Sequence, residues 1–152
     1  MNTQVEFGGT ERGYATGMVL WLLRLEALAI LAASTTFFFL FDGRIWMFAI
    51  LFFAPDLSIA GYTLSTKAGA VLYNAAHSYA PHILLAVAGV LVRFPTLWQI
   101  ALIFLAHAAF DRSLSYGLKY AAGFRHTHLG QIGAKPRRRL NSVNKQRKDG
   151  KN

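Results

Sequence analysis

Residues 97–116 read LWQIALIFLAHAAFDRSLSY. A helix needs roughly 20 mostly apolar residues to cross a bilayer core, and this run has about that length. Near its end it carries His107, Asp111 and Arg112. Ionisable residues at membrane depth are costly, so they are expected to face a protein interior and to find partners. His107 and Asp111 are four positions apart, which places them on one face of a helix.

Similar runs precede it. Residues 68–92, AGAVLYNAAHSYAPHILLAVAGVLV, make a third span from Ala68 to Val92. A second runs from Ile45 to Tyr62 and contains WMFAILFFAPDLSIAGY. The first runs from Met18 to Phe41 and is almost wholly apolar after Glu26. The second is the shortest and holds Pro55 and Asp56, so a re-entrant hairpin is its alternative. The connections, around 42–44, 63–67 and 93–96, are very short, and short connections make neighbouring helices antiparallel. The expected fold is therefore all-α and integral to a membrane: an up-down four-helix transmembrane bundle over residues 18–133. A polar segment, 1–17, precedes it. A basic tail, 134–152, follows and is expected to be disordered.

Composition agrees. Of the 152 residues, 54% are hydrophobic and 15% charged, against about 25% charged in ordinary soluble domains. The formal charge of +9 lies almost entirely after residue 120. There is no Cys, which excludes a disulfide scaffold, thiolate metal sites and Cys nucleophiles. The polar N-terminal residues include Glu6, Glu11 and Arg12. A cleavable signal begins with a basic patch and has a shorter apolar stretch, so the first span is expected to stay. Arg12, Lys67, Lys119 and the tail share one side of the bundle, and only Arg44 and Arg93 lie on the other. The positive-inside rule puts both termini in the cytoplasm, with the chain multi-pass in a bacterial inner (plasma) membrane. Arg137, Arg138 and Arg139 are expected to meet anionic lipid head groups. No specific nucleic-acid partner is expected.

At about 1.5 Å rise per residue, Glu26, Asp56, His77 and His107 lie roughly 9–13 Å from the cytoplasmic ends of their spans, and Asp111 roughly 7 Å. Tyr73, Asn74 and His77 make a polar face on the third helix. Pro55 removes a backbone donor beside Asp56 and can open a turn there, and Pro81 is expected to kink the third helix. Arg24 can reach the interface or pair with Glu26 or Asp56. Arg112 projects about 100° round the helix from Asp111, towards another helix or head groups. His126 and His128 read as a surface pair, or as extra ligands if the segment after the fourth span folds back.

Two imidazoles with two or three carboxylates suit a divalent metal such as Zn, Mn or Fe. The expected ligands are Asp56, His77, His107 and Asp111, lined by Arg24, Tyr73, Asn74 and Arg112. Glu26, Asp56 and Asp111 are the candidate catalytic carboxylates, with Glu26 or an unligated Asp as general base. The sharpest functional reading is a membrane-embedded metal-dependent enzyme, a hydrolase of a lipid or amphiphile. Two others stand beside it. One is a small proton-coupled transporter, acting as a homodimer with Glu26 as the exchange site. The other is a structural or accessory protein whose polar layer ties the helices together.

The residues also resemble a family. Arg24-Leu25-Glu26, Ala54-Pro55-Asp56-Leu57-Ser58, Tyr73-Asn74 with His77, His107, Asp111-Arg112, Tyr116-Gly117-Leu118-Lys119-Tyr120, Thr127-His128-Leu129-Gly130 and Ile132-Gly133 resemble the small bacterial membrane proteins called domain of unknown function 4260. The resemblance covers about residues 18–133. It implies an integral membrane protein with several helices and implies no activity. A looser likeness, on Pro55-Asp56 and the intramembrane histidines, is to membrane-bound metal-dependent hydrolases.

Overall fold

The computed structural model describes residues 15–133. The tail 134–152, with Arg137, Arg138 and Arg139, and most of the polar N-terminal segment lie outside the described residues. The chain is mostly helical. In order come α1 (Gly17–Leu40), α2 (Ile45–Leu51), a 3₁₀ segment (Ala54–Thr63), α3 (Thr66–His77), α4 (Tyr79–Leu91) and α5 (Pro95–Ser113). A two-stranded hairpin, β1 (His126–Thr127) and β2 (Gly130–Gln131), follows. Two helical runs are long and apolar enough to cross a membrane: Gly17–Leu40, and α2 joined to the 3₁₀ segment over Ile45–Thr63.

The prolines account for the interruptions. A proline has no N–H for the carbonyl four residues back. For Pro55 that carbonyl belongs to Leu51, where α2 ends. The chain tightens into the 3₁₀ segment, and the Asp56 N–H donates to the Phe53 carbonyl at 3.2 Å.

The third expected span is broken rather than kinked. Ser78 is extended (φ −88°, ψ 146°) and separates α3 from α4. Pro81 then falls in the first turn of a new helix, where its missing N–H costs nothing. The break frees backbone groups that must be satisfied. The Ser78 N–H donates to the Asn74 carbonyl, and His82 Nε2 donates to the Ala76 carbonyl at 2.8 Å across the gap.

The core forms around α5. Ala101, Ile103, Ala106, Ala108 and Ala109 are fully buried. These alanines let α1 and α4 pack closely along α5, as small residues do between apolar helices. Gly89 of α4 meets α5 closely enough that a Cβ would lie 2.7 Å from the Trp98 backbone nitrogen. The α1–α5 pair is antiparallel: Arg24 Nε donates to the Ser113 carbonyl at 2.8 Å, and Gln99 Nε2 to the Phe41 carbonyl at 3.1 Å. Arg24 thus satisfies a carbonyl at the C-terminus of α5, where a cation is also favoured by the helix dipole. The 3₁₀ segment packs against α3 through Gly61 and Gly69, with the Tyr62 ring seated on Gly69.

A candidate metal centre beneath the helix break

Three elements converge at the broken helix. His77 is the last residue of α3, Asp56 lies in the first turn of the 3₁₀ segment, and His107 and Asp111 share one face of α5. His77 Nε2 and His107 Nε2 are 3.1 Å apart. Asp56 Oδ1 is 3.5 Å from each of them. Asp111 Oδ2 is 3.6 Å from His77 Nε2. One ligand atom from each of the four residues lies within 4.8 Å of all the others.

The pairs at 3.1–3.6 Å have the spacing of ligands on one ion, while the four atoms together spread to 4.8 Å. Two ligands bound at about 2.0–2.1 Å with tetrahedral angles lie about 3.3–3.4 Å apart. Both imidazoles are buried, and that of His77 is oriented by a backbone carbonyl. His77 Nδ1 donates to the Tyr73 carbonyl at 3.0 Å, because a carbonyl can only accept. Neutral His77 therefore turns its Nε2 lone pair towards the group, the usual arrangement of a ligating histidine. The Tyr73 ring stacks on the His77 ring with centroids 3.8 Å apart. Its hydroxyl donates to Asp111 Oδ2 at 2.9 Å. Tyr73 thus holds one imidazole and one carboxylate together. Phe52 packs edge-on against His107 and Phe110 and forms an apolar wall. His107 Nδ1 is buried without a hydrogen-bond partner.

The side chains differ in access. Those of His77 and His107 are 3% and 2% exposed, that of Asp111 16%, and that of Asp56 43%. The group is therefore open on the Asp56 side. A groove of about 550 Å³ runs along neighbouring residues of the 3₁₀ segment and α3, lined by Leu57, Ser58, Leu72, Ala75 and Ala76 among others, and none of the four candidate ligands lines it.

The other residues singled out in the sequence are distributed around this group. Asn74 does not face it. Its side chain clasps the Lys119 backbone, accepting from the N–H at 2.7 Å and donating to the carbonyl at 2.9 Å. Arg24 caps α5. Glu26, expected as a base, stands apart and lines a separate cavity with Arg112, Tyr79 and His128. Depth along the helices puts Glu26 at the right height, but α1 packs along a different side of α5 from the 3₁₀ segment and α3.

The segment after α5 does fold back. The β1–β2 hairpin pairs with the chain at Lys119 and Thr127. His126 is exposed, and neither it nor His128 joins the four-residue group. His128 Nδ1 accepts from the Leu118 N–H at 2.9 Å, and its ring lies where a Cβ on Gly117 would be, 2.6 Å from Nδ1.

Lys119 is the residue that the sequence does not reveal. It reads there as a charge at the membrane surface, yet it is 4% exposed. Its ammonium lies 4.7 Å from the Tyr73 ring centre and 4.1 Å from that of Phe124. Burial lowers its pKa, while Asp111 nearby raises it. The only sequence signal was the Tyr116–Tyr120 stretch in the family resemblance.

Burial also lowers the pKa of His128 below its ordinary 6.5. The unfolded state then binds the proton more readily, so stability is full above about pH 6.5 and declines as the pH falls below it. Protonated Nδ1 can no longer accept from Leu118. Hydrogen-exchange protection of the Leu118 amide is expected to fall between pH 7.5 and pH 5, and to be insensitive to pH in His128→Asn.

The family model for Domain of unknown function (DUF4260) matches residues 20–132. No curated protein and no solved structure matches the chain. The matched region holds nearly all of α1, the whole of α2 to α5, the hairpin and all four residues of the candidate centre. The chain belongs to the DUF4260 family.

Proposed function

We propose that this chain is a multi-pass protein of the bacterial inner membrane. We further propose that Asp56, His77, His107 and Asp111 form a divalent-metal centre that hydrolyses a lipid or other amphiphile. The observation that carries this reading is the convergence of four ligand atoms within 4.8 Å from three separate elements.

The four-span bundle is supported by the exterior. Trp21, Leu40, Ile50, Leu84 and Leu91 are each more than half exposed, and soluble monomers rarely carry contiguous apolar surface of this extent. In this bundle α3 and α4 together make the third span, and α5 the fourth. A break at depth is tolerated where it is buried in protein, and His82 covers this one. Both termini face the cytoplasm, and the candidate centre lies in that half of the membrane.

His77, His107 and Asp111 are the least exposed donors and hold the ion. A divalent ion held there would lower the pKa of a bound water and polarise an ester oxygen. Asp56 is the exposed carboxylate at the open side; it would take a proton from the attacking water and return it to the leaving alcohol. Tyr73 keeps Asp111 in place through its hydroxyl. The groove past Leu57 and Leu72 accepts the apolar chain of the substrate, which favours an amphiphile over a free polar ester.

The test is ester hydrolysis by the detergent-purified full chain loaded with Zn, Mn or Fe, using carboxylate and phosphate esters with alkyl chains. Turnover is expected, and chelation should abolish it. Asp56→Asn is expected to keep the metal while turnover falls about 10²–10⁴-fold. A metal-loaded chain that cleaves neither ester class contradicts the hydrolase assignment.

A further inference from the structure

The candidate centre leaves a second set of charged side chains unused. Glu26 of α1, Tyr79 of α4, Arg112 of α5 and His128 of the hairpin line a cavity of about 230 Å³. Leu23, Ala27 and Ile30 complete the α1 wall. With Glu26 they fall at helical spacings of three and four, on one face. The cavity thus brings polar side chains from four elements beside an apolar α1 wall.

Its charges are held apart. Among the described residues, ion pairs form only within the Asp56, His77, His107 and Asp111 group, so Glu26 and Arg112 do not neutralise each other. The Arg112 guanidinium lies over the Tyr79 ring, 3.7 Å from its centre. That stacking fixes its plane, and its Nε is buried without a hydrogen-bond partner. A buried donor in this state costs free energy that a bound acceptor would recover. His128 accepts from Leu118 at Nδ1, so its neutral form carries the proton on Nε2 and offers a second donor. Two donors and one separate carboxylate complement a molecule with an anionic and a cationic end.

We propose that this cavity binds the headgroup of an aminophospholipid. Arg112 and His128 take the phosphate, Glu26 takes the primary ammonium, and an acyl chain lies along Leu23, Ala27 and Ile30. The proposal rests on the membrane reading above but is independent of the metal centre.

The test measures binding of short-chain phosphatidylethanolamine, phosphatidylcholine and phosphatidylglycerol to the detergent-purified full chain. Phosphatidylethanolamine is expected to bind saturably and about tenfold more tightly than the other two, the size of one charge-assisted hydrogen bond. Glu26→Gln is expected to remove that preference and leave the metal content unchanged. Arg112→Gln is expected to weaken all three lipids. If Arg112→Gln does not fold, Glu26→Gln decides alone, because it replaces an exposed side chain with one of the same shape. Equal binding of the three lipids, or a preference that survives Glu26→Gln, overturns the proposal. A chain that stays in solution without detergent overturns the membrane reading, and this proposal with it.

Discussion

Replacing His107 with alanine is expected to strip the protein of its metal. The wild-type chain should carry about one divalent ion, and the variant none after the same loading. His107 Nε2 lies 3.1 Å from His77 Nε2 and 3.5 Å from Asp56 Oδ1. Without it the centre keeps one imidazole. Removing an outer partner of a ligand typically weakens binding 10–100-fold, so loss of a ligand should cost at least about 100-fold. His77→Ala should behave the same way. Tyr73→Phe provides the graded control, since it removes only the hydroxyl on Asp111 and should fall in the 10–100-fold range. Metal content and a competition titration against a chelator read all three. Full occupancy in both histidine variants would remove these residues from the ligand set.

The second large effect is expected at Gly69. The 3₁₀ segment reaches α3 only because neither Gly61 nor Gly69 has a side chain. A Cβ at Gly69 collides with the Tyr62 ring, and one at Gly61 would sit 2.7 Å from Leu72 Cδ1. Gly69→Val must push the segment away from α3. Overpacking of this kind costs about 1–3 kcal/mol. Asp56 belongs to the same segment, so its carboxylate should leave the imidazoles. Thermal unfolding should therefore shift down, and turnover should fall even where His77, His107 and Asp111 retain the ion. A Gly69→Val protein with native stability and activity would show that this close approach does not position Asp56.

These expectations separate what the sequence carries from what it does not. The pairing of His107 with Asp111 follows from their spacing on one helix. The approach of Asp56 and His77 to that pair follows from their positions along the expected spans, because ionisable groups within apolar helices are expected to find partners. Depth does not give direction round a helix. Counting along the expected spans brings Glu26 level with the group, but it lines a separate cavity with Arg112 and His128, and no local pattern encodes that choice. Pro81 announced an interruption, but its position at Ser78 depends on where α4 can restart. The burial of Lys119 was hidden for a different reason. It depends on Asn74, forty-five residues earlier, clasping its backbone, and a single sequence without aligned relatives does not display such a contact.

The central claim is that His77 and His107 hold one ion together with carboxylate oxygen. X-ray absorption at the metal edge of the detergent-purified, metal-loaded full chain measures this directly. The expected spectrum has a first shell of nitrogen and oxygen at about 2.0–2.1 Å, with outer-shell scattering from two imidazoles that falls to one in His77→Gln. A chain that takes up no metal, or a spectrum whose imidazole count is unchanged in that variant, would contradict the account.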